Sequence, residues 1–587
     1  MYRLFATLLL AALLAPAGWA QVAPTCQATG TDEGRPSCTL TDASLEPGTD
    51  YQLDAGTTYI LSGIVIVEDG AVLRAPAGTR FKAEAGTGTD ATALVVARGG
   101  QLIASGTSVE PVIFTSIQDN LDTADFLTYQ DRGLWGGIIL LGYARNNNTS
   151  GISDIEGVNE ILSGDPRIVY GCTGDDCNDG DSSGSLRYVS IRHTGINIGQ
   201  TDGNEIQGLT LGSVGSGTEL AFVESYASAD DGFEFFGGTV DAKWLVAAFC
   251  SDDSFDFDRG YRGRGQYWFA IQAPDQAGAL AEQDGASGST PGNTPFATPT
   301  FYNFTLIGAG VGNQPETDRG SALYFRENFG GSYYNSVITQ FETADGGFAV
   351  RIRDDLEPDS FDRFQAGDLT LGNNVWWDFG NDAAPTTDLT SLVRSDSDSA
   401  RDAIVAGLGA NGNTLVDPGI AGVDRAAVPS NGLDPRPLNN DSPLVTGARA
   451  TPPNDGFFDN VAYLGAFGNT NWLEGWTALS DANYLGDISV VQVANEDALP
   501  QDVSVFEVYP NPFAQQATVR FGVESAQDVD VAVFDMLGRR VAQLAAGTMA
   551  AGSQEVTFEG HSLPSGVYFV RVRTEAGSAI QKVSLVK

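Results

Sequence analysis

Basic residues are scarce in this sequence. Of its 587 residues, 32 are Lys or Arg and 75 are Asp or Glu, which gives a formal net charge of −43. Only four are lysines: Lys82, Lys243, Lys582 and Lys587. Affinity for nucleic acid requires clustered cations, and docking on an anionic membrane requires a basic patch. The composition therefore excludes nucleic acid as a partner and argues against binding to an anionic membrane surface.

Histidine and cysteine are also rare, with two and five residues. A catalytic thiol or a zinc site would need more of both. The close pairs Cys26/Cys38 and Cys172/Cys177 predict two disulfides in an oxidising compartment. A metal site at the second pair is the alternative, but histidine ligands are missing there. We interpret Cys250, which ends an apolar stretch, as a buried inert thiol.

Long apolar runs are absent after the first twenty residues. Residues 1–20 contain Arg3, an apolar run from Leu4 to Leu14, and the small-residue stretch Ala17–Ala20, which together predict a secretory signal peptide. The run is about eleven residues long, short of the roughly 20 needed to cross a bilayer. We therefore expect an exported chain with no transmembrane segment.

Glycine, by contrast, is abundant, with 71 residues, and separates short β-type runs. Residues 230–238 recur as residues 252–260, shifted by 22 positions. The flanking runs 220–223, 244–247 and 267–270 follow at spacings of 24 and 23. Short strands with Gly and Asp turns at this period are typical of one coil of a parallel β-helix. Coils of about 23 residues predict roughly a dozen of them.

The predicted fold class is all-β: a right-handed parallel β-helix (solenoid) followed by a small C-terminal β-sandwich. The predicted boundaries are a signal peptide at 1–20, an N-terminal cap at 21–44, the solenoid at 45–480 with a loop insertion at about 273–298, a linker at 481–502 and a C-terminal domain at 503–587. We expect the Cys26–Cys38 segment to cover the first coil. The aromatic-rich stretch 456–476 is expected to close the last one.

The C-terminal domain carries four ordered motifs. They are Tyr509-Pro510-Asn511-Pro512-Phe513, the block 531–541 with Gly538, the block 563–572 with Gly566, and the closing residues Lys582 to Lys587. Together they resemble the type A C-terminal sorting domain of the type IX secretion system. The resemblance implies that the type IX machinery is a partner, and that the protein is released or attached to the outer-membrane surface. An ordinary adhesive Ig-like domain is the alternative.

Blocks in the solenoid resemble a second family. Residues 133–142, 181–189, 204–211 and 230–238 are similar to exported bacterial right-handed β-helix proteins, pectate-lyase-like in the broad sense. The resemblance covers residues 45–478. It implies a fold and no particular reaction, because that group mostly lacks an assigned activity.

The duplicated acidic blocks are the strongest candidate site. If the phenylalanines of 233–235 and 255–257 point inward, alternation turns Glu234, Asp256 and Asp258 outward. A shift of one coil stacks like charges at about 5 Å. The candidate metal ligands are Asp230, Asp231, Glu234, Asp252, Asp253, Asp256 and Asp258.

Three arrangements can compensate this repulsion. Bound Ca²⁺ takes six to eight oxygen ligands from carboxylates and carbonyls. Arg259, Arg262 and Arg264 can form ion pairs instead, or the Asp side chains can cap turns by accepting backbone N–H groups. The acidic loop Asp175–Asp181 resembles a Ca²⁺ loop in composition but lacks the EF-hand spacing, which favours a solvated turn.

Aromatic residues offer a further candidate site. Trp268 and the pairs Tyr333–Tyr334 and Trp376–Trp377 could stack on sugar rings if they were exposed. A position in the core is the other interpretation of these rings, and the one we favour.

Catalytic motifs are weak. A pair of carboxylates could serve a glycoside hydrolase, and Arg351 or Arg353 could serve as the base of a lyase. His193 is better interpreted as a packing residue at a strand end than as a base. The sequence lacks the P-loop and H-E-x-x-H motifs. No catalytic residue is therefore assigned.

The sequence thus predicts a secreted or cell-surface β-helix protein that binds or organises extracellular material, stabilised by Ca²⁺ and non-catalytic. An extracellular glycan or cell-surface polysaccharide is the expected partner. The alternative is a Ca²⁺-dependent polysaccharide lyase or glycoside hydrolase, although a charge of −43 disfavours an anionic substrate unless metal or a basic groove is present.

Overall fold

The computed structural model describes two compact units, divided between residues 495 and 496. The described residues of the first unit are 21–123, 127–198, 204–310, 320–343, 347–380 and 388–486. Those of the second are 507–509, 513, 515–523, 527–535, 540–550, 552–561, 563, 566–573 and 578–585. The predicted signal peptide and the motif residues Pro510, Asn511, Pro512, Gly538 and Lys587 lie outside these ranges.

The first unit is a stack of parallel coils. One face is a ten-stranded parallel sheet made of Ile64–Val67, Ala93–Val96, Ile138–Leu141, Leu209–Gly212, Phe233–Phe236, Phe255–Asp258, Ala281–Asp284, Ser321–Arg326, Phe348–Ile352 and Val393–Arg394. Each strand pairs in register with the strand of the next coil, as Phe233 pairs with Phe255. The predicted one-coil offset between the acidic blocks is confirmed, and so is the parallel β-helix.

The other faces form one twenty-stranded sheet. Its strands are Gln27–Asp32, Arg35–Leu40, Asp50–Gln52, Thr58–Leu61, Val72–Pro76, Arg80–Ala83, Gln101–Ser105, Val112–Ser116, Gly184–Arg192, Glu219–Tyr226, Asp241–Ala248, Arg264–Gln266, Phe269–Ile271, Thr300–Tyr302, Thr305–Ile307, Gly331–Tyr334, Val337–Glu342, Leu369–Gly372, Val375–Gly380 and Thr414–Leu415. Long strands bend from one face to the next at a residue with positive φ, such as Phe222 (φ 59°) and Trp244 (φ 57°).

These bends correct one predicted spacing. Leu220 pairs with Ala242 of the next coil, and not with Trp244. Trp244 aligns instead with Phe222, on which its ring stacks at 4.4 Å between centroids.

The core is one continuous column of apolar side chains. Inward phenylalanines stack from coil to coil, with 5.5 Å between the ring centroids of Phe233 and Phe255. Trp268, Tyr333 and Trp376 are fully buried in the same column. The interpretation of these aromatic residues as core is confirmed, which removes most of the predicted sugar-stacking surface. Burying each such ring contributes roughly 1.5–3 kcal/mol.

Different elements end the stack. The antiparallel hairpin Gln27–Asp32 and Arg35–Leu40 pairs with the strand Thr58–Leu61 of the first coil, and Cys26 is bonded to Cys38. At the other end the helix Asp398–Ala410 packs Ala400, Ile404 and Leu408 on the core. The last paired strand of the solenoid is Thr414–Leu415. The coils therefore end well before the predicted residue 480.

The predicted aromatic end cap is wrong. Residues 447–486, here called the strap, run back along the flank of the solenoid. Ala448 accepts from Asn373 (3.4 Å) in a late coil, and Asp459 pairs with Lys243 (2.6 Å) in an earlier one. The strap then contacts a late coil again, where Gly465 donates to the Asn335 carbonyl (2.7 Å). Farther on, Trp472 meets the ring of Phe222 edge-on and Ala478 donates to Glu224 (2.7 Å). The predicted linker boundary at 481 also shifts, because Leu485 forms a bridge with Leu433.

The predicted loop at 273–298 contains a strand. Ala281–Asp284 pairs with the strands of both neighbouring coils, so only the residues around it leave the stack. Ala281 and Gln283 point into the core while Glu282 and Asp284 point outward. A run of Ala-Glu-Gln-Asp lacks β-branched and aromatic residues, so composition did not indicate a strand there.

Smaller elements complete the first unit. The short antiparallel pairs are Ile152–Asp154 with Val169–Gly171, Ile196–Asn197 with Glu205–Ile206, and Ile420–Gly422 with Asp434–Pro437. Among the described residues, the remaining α-helices are Ser360–Ala366, Pro443–Thr446 and Ala478–Asp481. In the described part of the chain no helix is long and apolar enough to cross a membrane.

The second unit consists of two antiparallel sheets. One contains Glu507–Tyr509, Gln516–Val523 and Gly552–Glu559; the other contains Gln527–Asp535, Arg540–Met549, Gly566–Arg573 and Ser578–Leu585. Side chains of both sheets, including Val519, Phe558, Val531 and Val570, form one apolar cluster.

Candidate functional site

One outward row of side chains crosses the ten-stranded sheet and changes its chemistry along the way. In register, the row is Ile66, Val95, Ile139, Thr210, Glu234, Asp256, Glu282, Tyr324, Arg351 and Arg394. Three apolar residues and a threonine are thus followed by three carboxylates, and these by a tyrosine and two arginines. The carboxylates come together because each lies at the same position of its coil.

The carboxylates of this region form an acidic ladder. Its members are Asp230, Asp231, Glu234, Asp252, Asp253, Asp256, Asp258, Glu282 and Asp284, contributed by three consecutive coils. All are buried or half-buried, and Glu234 is only 4% exposed. The predicted orientation of Glu234, Asp256 and Asp258 away from the core is correct, although neighbouring segments shield them from solvent.

Three overlapping groups of ladder carboxylates have the geometry of cation sites. They are Asp230, Asp231 and Asp252; Asp231, Glu234 and Asp256; and Asp253, Asp256 and Glu282. Within each group the ligand oxygens lie within 4.8 Å of one another. The first and third groups share no residue, whereas the second shares one with each. Asp258 belongs to none of them.

Part of the ladder caps the backbone, as one of the alternatives predicted. The Asp231 Oδ1 accepts the N–H of Asp253 at 2.9 Å, and the Asp253 Oδ1 accepts the N–H of Ala279. Gly278 lets the chain pass this close, since a Cβ there would lie 2.2 Å from the Asp252 Oδ1. Each of these bonds uses one oxygen of the capping carboxylate, and a carboxylate can bind a cation through its other oxygen.

Other ladder oxygens have no such role. Glu234 Oε2 and Asp256 Oδ1 are buried and lack a hydrogen-bond partner among the described residues. A buried carboxylate oxygen without a partner costs about 1–3 kcal/mol or more. These two atoms lie in the same group of carboxylates, which is the chemistry a hard divalent cation would satisfy.

Burial raises the pKa values of the ladder carboxylates. Burial, followed by the charges of Asp230 and Asp256, raises the pKa of Asp231 well above its usual range. Burial and Glu282 do the same to the pKa of Asp256. Burial raises the pKa of Asp258 as well, although the neighbouring Arg259 opposes the shift. Without a cation, the folded protein therefore holds these groups protonated at pH values where they would normally ionise.

The predicted arginine partners mostly bind elsewhere. Arg262 bonds Asp179, and Arg264 bonds Asp241 and Asp455. Arg259 is the one of the three whose charge acts on the ladder, through Asp258 and Asp284.

Sequence reasoning missed an arginine as well as several acids. Arg326 pairs with Glu282 at 2.9 Å and with Asp284 at 2.7 Å, but it stands two coils beyond the duplication. Glu282 and Asp284 were hidden in the predicted loop. Asp256 and Glu282 are one coil apart, so a search for acids at a slightly longer spacing than the duplication would have found them.

The remaining candidates have structural partners. Asp179 of the acidic loop bonds Arg145 at 2.9 Å, and Asp181 accepts the N–H of Tyr143, beside the Cys172–Cys177 disulfide. Both predicted disulfides are confirmed. Cys250 is a buried free thiol, and burial raises its pKa to about 11.

The residues considered for catalysis, none of which was assigned, also have structural partners. His193 is buried at a strand end, with its Nδ1 2.7 Å from the Asp131 carbonyl, and burial lowers its pKa. Arg351 and Arg353 both bond Asp396, at 3.2 and 3.1 Å. Arg353 also donates to the hydroxyl of Tyr324 at 2.8 Å.

Comparison with known proteins agrees with the coils. The model of the pectate-lyase-like β-helix domain matches residues 46–414, a range that ends at the last paired strand of the solenoid. The chain belongs to this family. A secretion system C-terminal sorting domain matches residues 507–586, so the protein is secreted or attached to the cell surface through type IX secretion. No curated protein matches the chain in sequence.

Proposed function

We propose that this secreted β-helix protein binds Ca²⁺ on its acidic ladder and serves, without catalysis, to bind or organise extracellular material. The partner-free buried oxygens of Glu234 and Asp256 are the observation that carries the cation site. Turn capping accounts for Asp231 and Asp253 but leaves these two atoms unexplained. Arginine pairing accounts only for the far end of the ladder, at Glu282 and Asp284.

Ca²⁺ fits this donor set better than a transition metal does. The ligands are carboxylate oxygens, which suit hard cations, and no His or Cys stands in the three groups. A buried charge without a counter-charge destabilises a folded protein strongly. Each ionised carboxylate of the ladder would be such a charge if no cation were bound. Cation binding would therefore stabilise three coils at once.

The non-catalytic part of the proposal has separate support. The arginines that a lyase would use are both held by Asp396, and the buried His193 is bonded to a backbone carbonyl. An extracellular glycan or cell-surface polysaccharide remains the proposed partner, because the protein reaches the cell exterior as a long solenoid.

A Ca²⁺-dependent lyase or hydrolase is the second candidate. Tyr324 and Arg351 occupy the same outward row as Glu282, one and two strands farther along the sheet. Acidic and basic groups therefore share one face, and an acidic glycan could use both. This candidate predicts release of unsaturated or reducing sugar ends.

Thermal melting of the full chain tests the cation site. With Ca²⁺ at about 100 times its dissociation constant we expect about 2.7 kcal/mol of stabilisation over the chelated protein, which means a rise in Tm of a few degrees. Glu234→Gln should reduce this rise. The exposed Glu110→Gln is the matched control and should keep it.

Two outcomes would contradict the proposal. An equal Tm with Ca²⁺ and with chelator would remove the cation site. Release of new sugar ends from a broad set of extracellular glycans would replace the non-catalytic role with the enzymatic one.

A further inference from the structure

The turn of the N-terminal hairpin lies against a buried lysine. Glu33 and Gly34 form this turn and join the two hairpin strands. Lys82, on the coil strand Arg80–Ala83, has a side chain that is only 1% exposed. Its Nζ lies 2.6 Å from Glu33 Oε1 and 3.1 Å from both carboxylate oxygens of Asp32. A primary amine and two carboxyl groups are therefore enclosed together at the first coils.

The amine lies within reach of the carboxyl carbon of Asp32. A C–O bond is about 1.23 Å long. The carbon that joins two oxygens 3.1 Å from Nζ must then lie about 3.0–3.5 Å from Nζ. Reacting atoms in a near-attack arrangement have this separation. The Oδ2 of Asp32 is buried and accepts no hydrogen bond among the described residues, so it is the oxygen that we expect to leave.

Glu33 is placed to carry protons between the two groups. Its Oε1 also accepts the N–H of Leu121 at 2.9 Å, and its Oε2 accepts from Arg80 at 2.8 Å. These bonds hold the carboxylate beside the Nζ of Lys82. The backbone of Glu33 has a φ of 49°, where a two-residue hairpin turn favours Asn, Asp or Gly. The side chain that reaches Lys82 explains why a glutamate stands there.

The choice of lysine is a separate observation. Of the 32 basic residues, 28 are arginines. Arginine forms buried pairs elsewhere in the solenoid, such as Arg436 with Asp434 and Arg326 with Glu282. Its planar fork makes it the usual residue for a buried ion pair, whereas only lysine has an amine that can act as a nucleophile. A purely ionic contact at residue 82 would therefore favour arginine.

We propose that Lys82 and Asp32 join in an isopeptide bond, with Glu33 as the catalytic acid and base. A first proton passes from the Lys82 ammonium through Glu33 to an oxygen of Asp32. The neutral Nζ then attacks the Cγ of Asp32, and a second proton passes through Glu33 to the same oxygen, which leaves as water. One N–C bond forms, one C–O bond breaks, and Glu33 ends ionised as it began. The step is neither an oxidation nor a reduction and needs no cofactor.

The bond would stabilise the end of the solenoid. It removes one positive and one negative charge from a place that solvent hardly reaches, where charges are costly. It also ties the hairpin to a strand 50 positions later, in addition to the Cys26–Cys38 disulfide. The terminal coils of a repeat stack have a neighbour on one side only. A covalent link would hold the first coils closed, whether or not the acidic ladder binds Ca²⁺.

Mass spectrometry of the full chain, reduced and digested with trypsin, tests the proposal. We expect a peptide that contains Asp32 joined to a peptide that contains Lys82. Its mass should be one water below the sum of the two peptides, and fragmentation should place the link on these two residues. Trypsin should not cleave after Lys82, because it does not cut at an acylated lysine.

Two variants test the assigned roles. Lys82→Arg keeps the positive charge but has no amine, so the linked peptide should be absent. Glu33→Gln keeps the shape but cannot carry protons, so the link should form about 100-fold more slowly or worse. Glu46→Gln, on an exposed acid of the same region, is the matched control and should keep the link.

Lys243 is a control within the same digest. In the described part of the chain it forms an ion pair with one carboxylate, that of Asp459 at 2.6 Å. An ion pair of this kind without a second acid should stay unlinked.

The unmodified chain decides the proposal even if Lys82→Arg does not fold. Separate peptides for Asp32 and Lys82 would overturn it and leave an ion pair at this position. A link that ends on Glu33 would refute Asp32 as the partner. A link that forms at the same rate in Glu33→Gln would refute the catalytic role of Glu33.

Discussion

Two stretches of the ten-stranded sheet have the same backbone geometry and differ in the chemistry of their outward side chains. Around Ile139 the outward row is apolar, and residues 152–171 with the strands Ile196–Asn197 and Glu205–Ile206 bury it as a second small core. Around Asp256 the same row is acidic and carries the grouped carboxylates. The parallel pairing and the register are the same in both stretches. In this solenoid, therefore, the coil geometry sets where side chains stack, and the residue type at each position decides whether the stack is apolar or acidic.

We expect the largest effect when a charge is added to the apolar stretch. Ile139→Glu would place one carboxylate in the apolar stretch, at the row position that Glu234 holds in the acidic one. Ile139 is fully buried, so we expect a loss of about 4 kcal/mol or more in the free energy of unfolding. Ca²⁺ should restore little of this loss, since the new carboxylate would have no acidic neighbours in its row with which to share a cation. Urea unfolding with and without Ca²⁺ measures both effects.

Ile139→Leu serves as the control for packing. It keeps the volume and should cost less than about 1.5 kcal/mol. If the charged and the apolar variant lost similar stability, the apolar stretch would tolerate charge and the contrast between the two stretches would fail.

A change of pH sharpens the contrast from the acidic side. Burial and nearby carboxylates raise the pKa of Asp231, Glu234 and Asp256 well above the usual range. The unfolded chain ionises these groups near pH 4. Above that pH the metal-free folded state binds the extra protons, so its stability falls as pH rises toward the raised values. Each extra proton is worth about 1.4 kcal/mol per pH unit.

We therefore expect the urea midpoint of the chelated protein to fall between pH 5 and pH 8, and Ca²⁺ to flatten this slope. A chelated protein with equal midpoints at both pH values would show that the ladder carries no excess protons.

The smallest effect is expected at an acid outside both stretches. Glu219 lies 3.7 Å from Arg187, and both side chains are about half exposed. Solvent screens such a pair, so Glu219→Gln should change the free energy of unfolding by less than about 0.5 kcal/mol. The response to Ca²⁺ should be that of the unmodified protein. A large loss in the free energy of urea unfolding would show that removing any acidic charge destabilises this protein, wherever the acid lies.

Sequence patterns predicted the local repeat well. The Phe-Glu-Phe and Phe-Asp-Phe runs fixed the register between two coils because inward aromatics and outward acids alternate in both. The pattern failed one coil later, at Ala281–Asp284, where small and polar residues fill the inward positions. There the strand is imposed by its neighbours on both sides, and that information is absent from the segment itself.

Long-range contacts account for the other failures. Glu224 is bonded by Ala478, 254 positions later, and no periodic pattern connects two such residues. The sequence therefore predicted the duplicated acids of the candidate site but not the distant segments that pack beside them.

The strap has a mechanical consequence. A repeat stack normally frays from its ends, because each coil is held only by its neighbours. Here the chain leaves the last coil, returns along the flank and is fastened at Glu224 and Arg192, near the middle of the stack's sequence. A pull on the chain beyond Gly486 would therefore load the bridge between Leu485 and Leu433 first, and the bonds at Arg192 and Glu224 next. Those two bonds would resist the pull in the middle of the stack, away from its last coil.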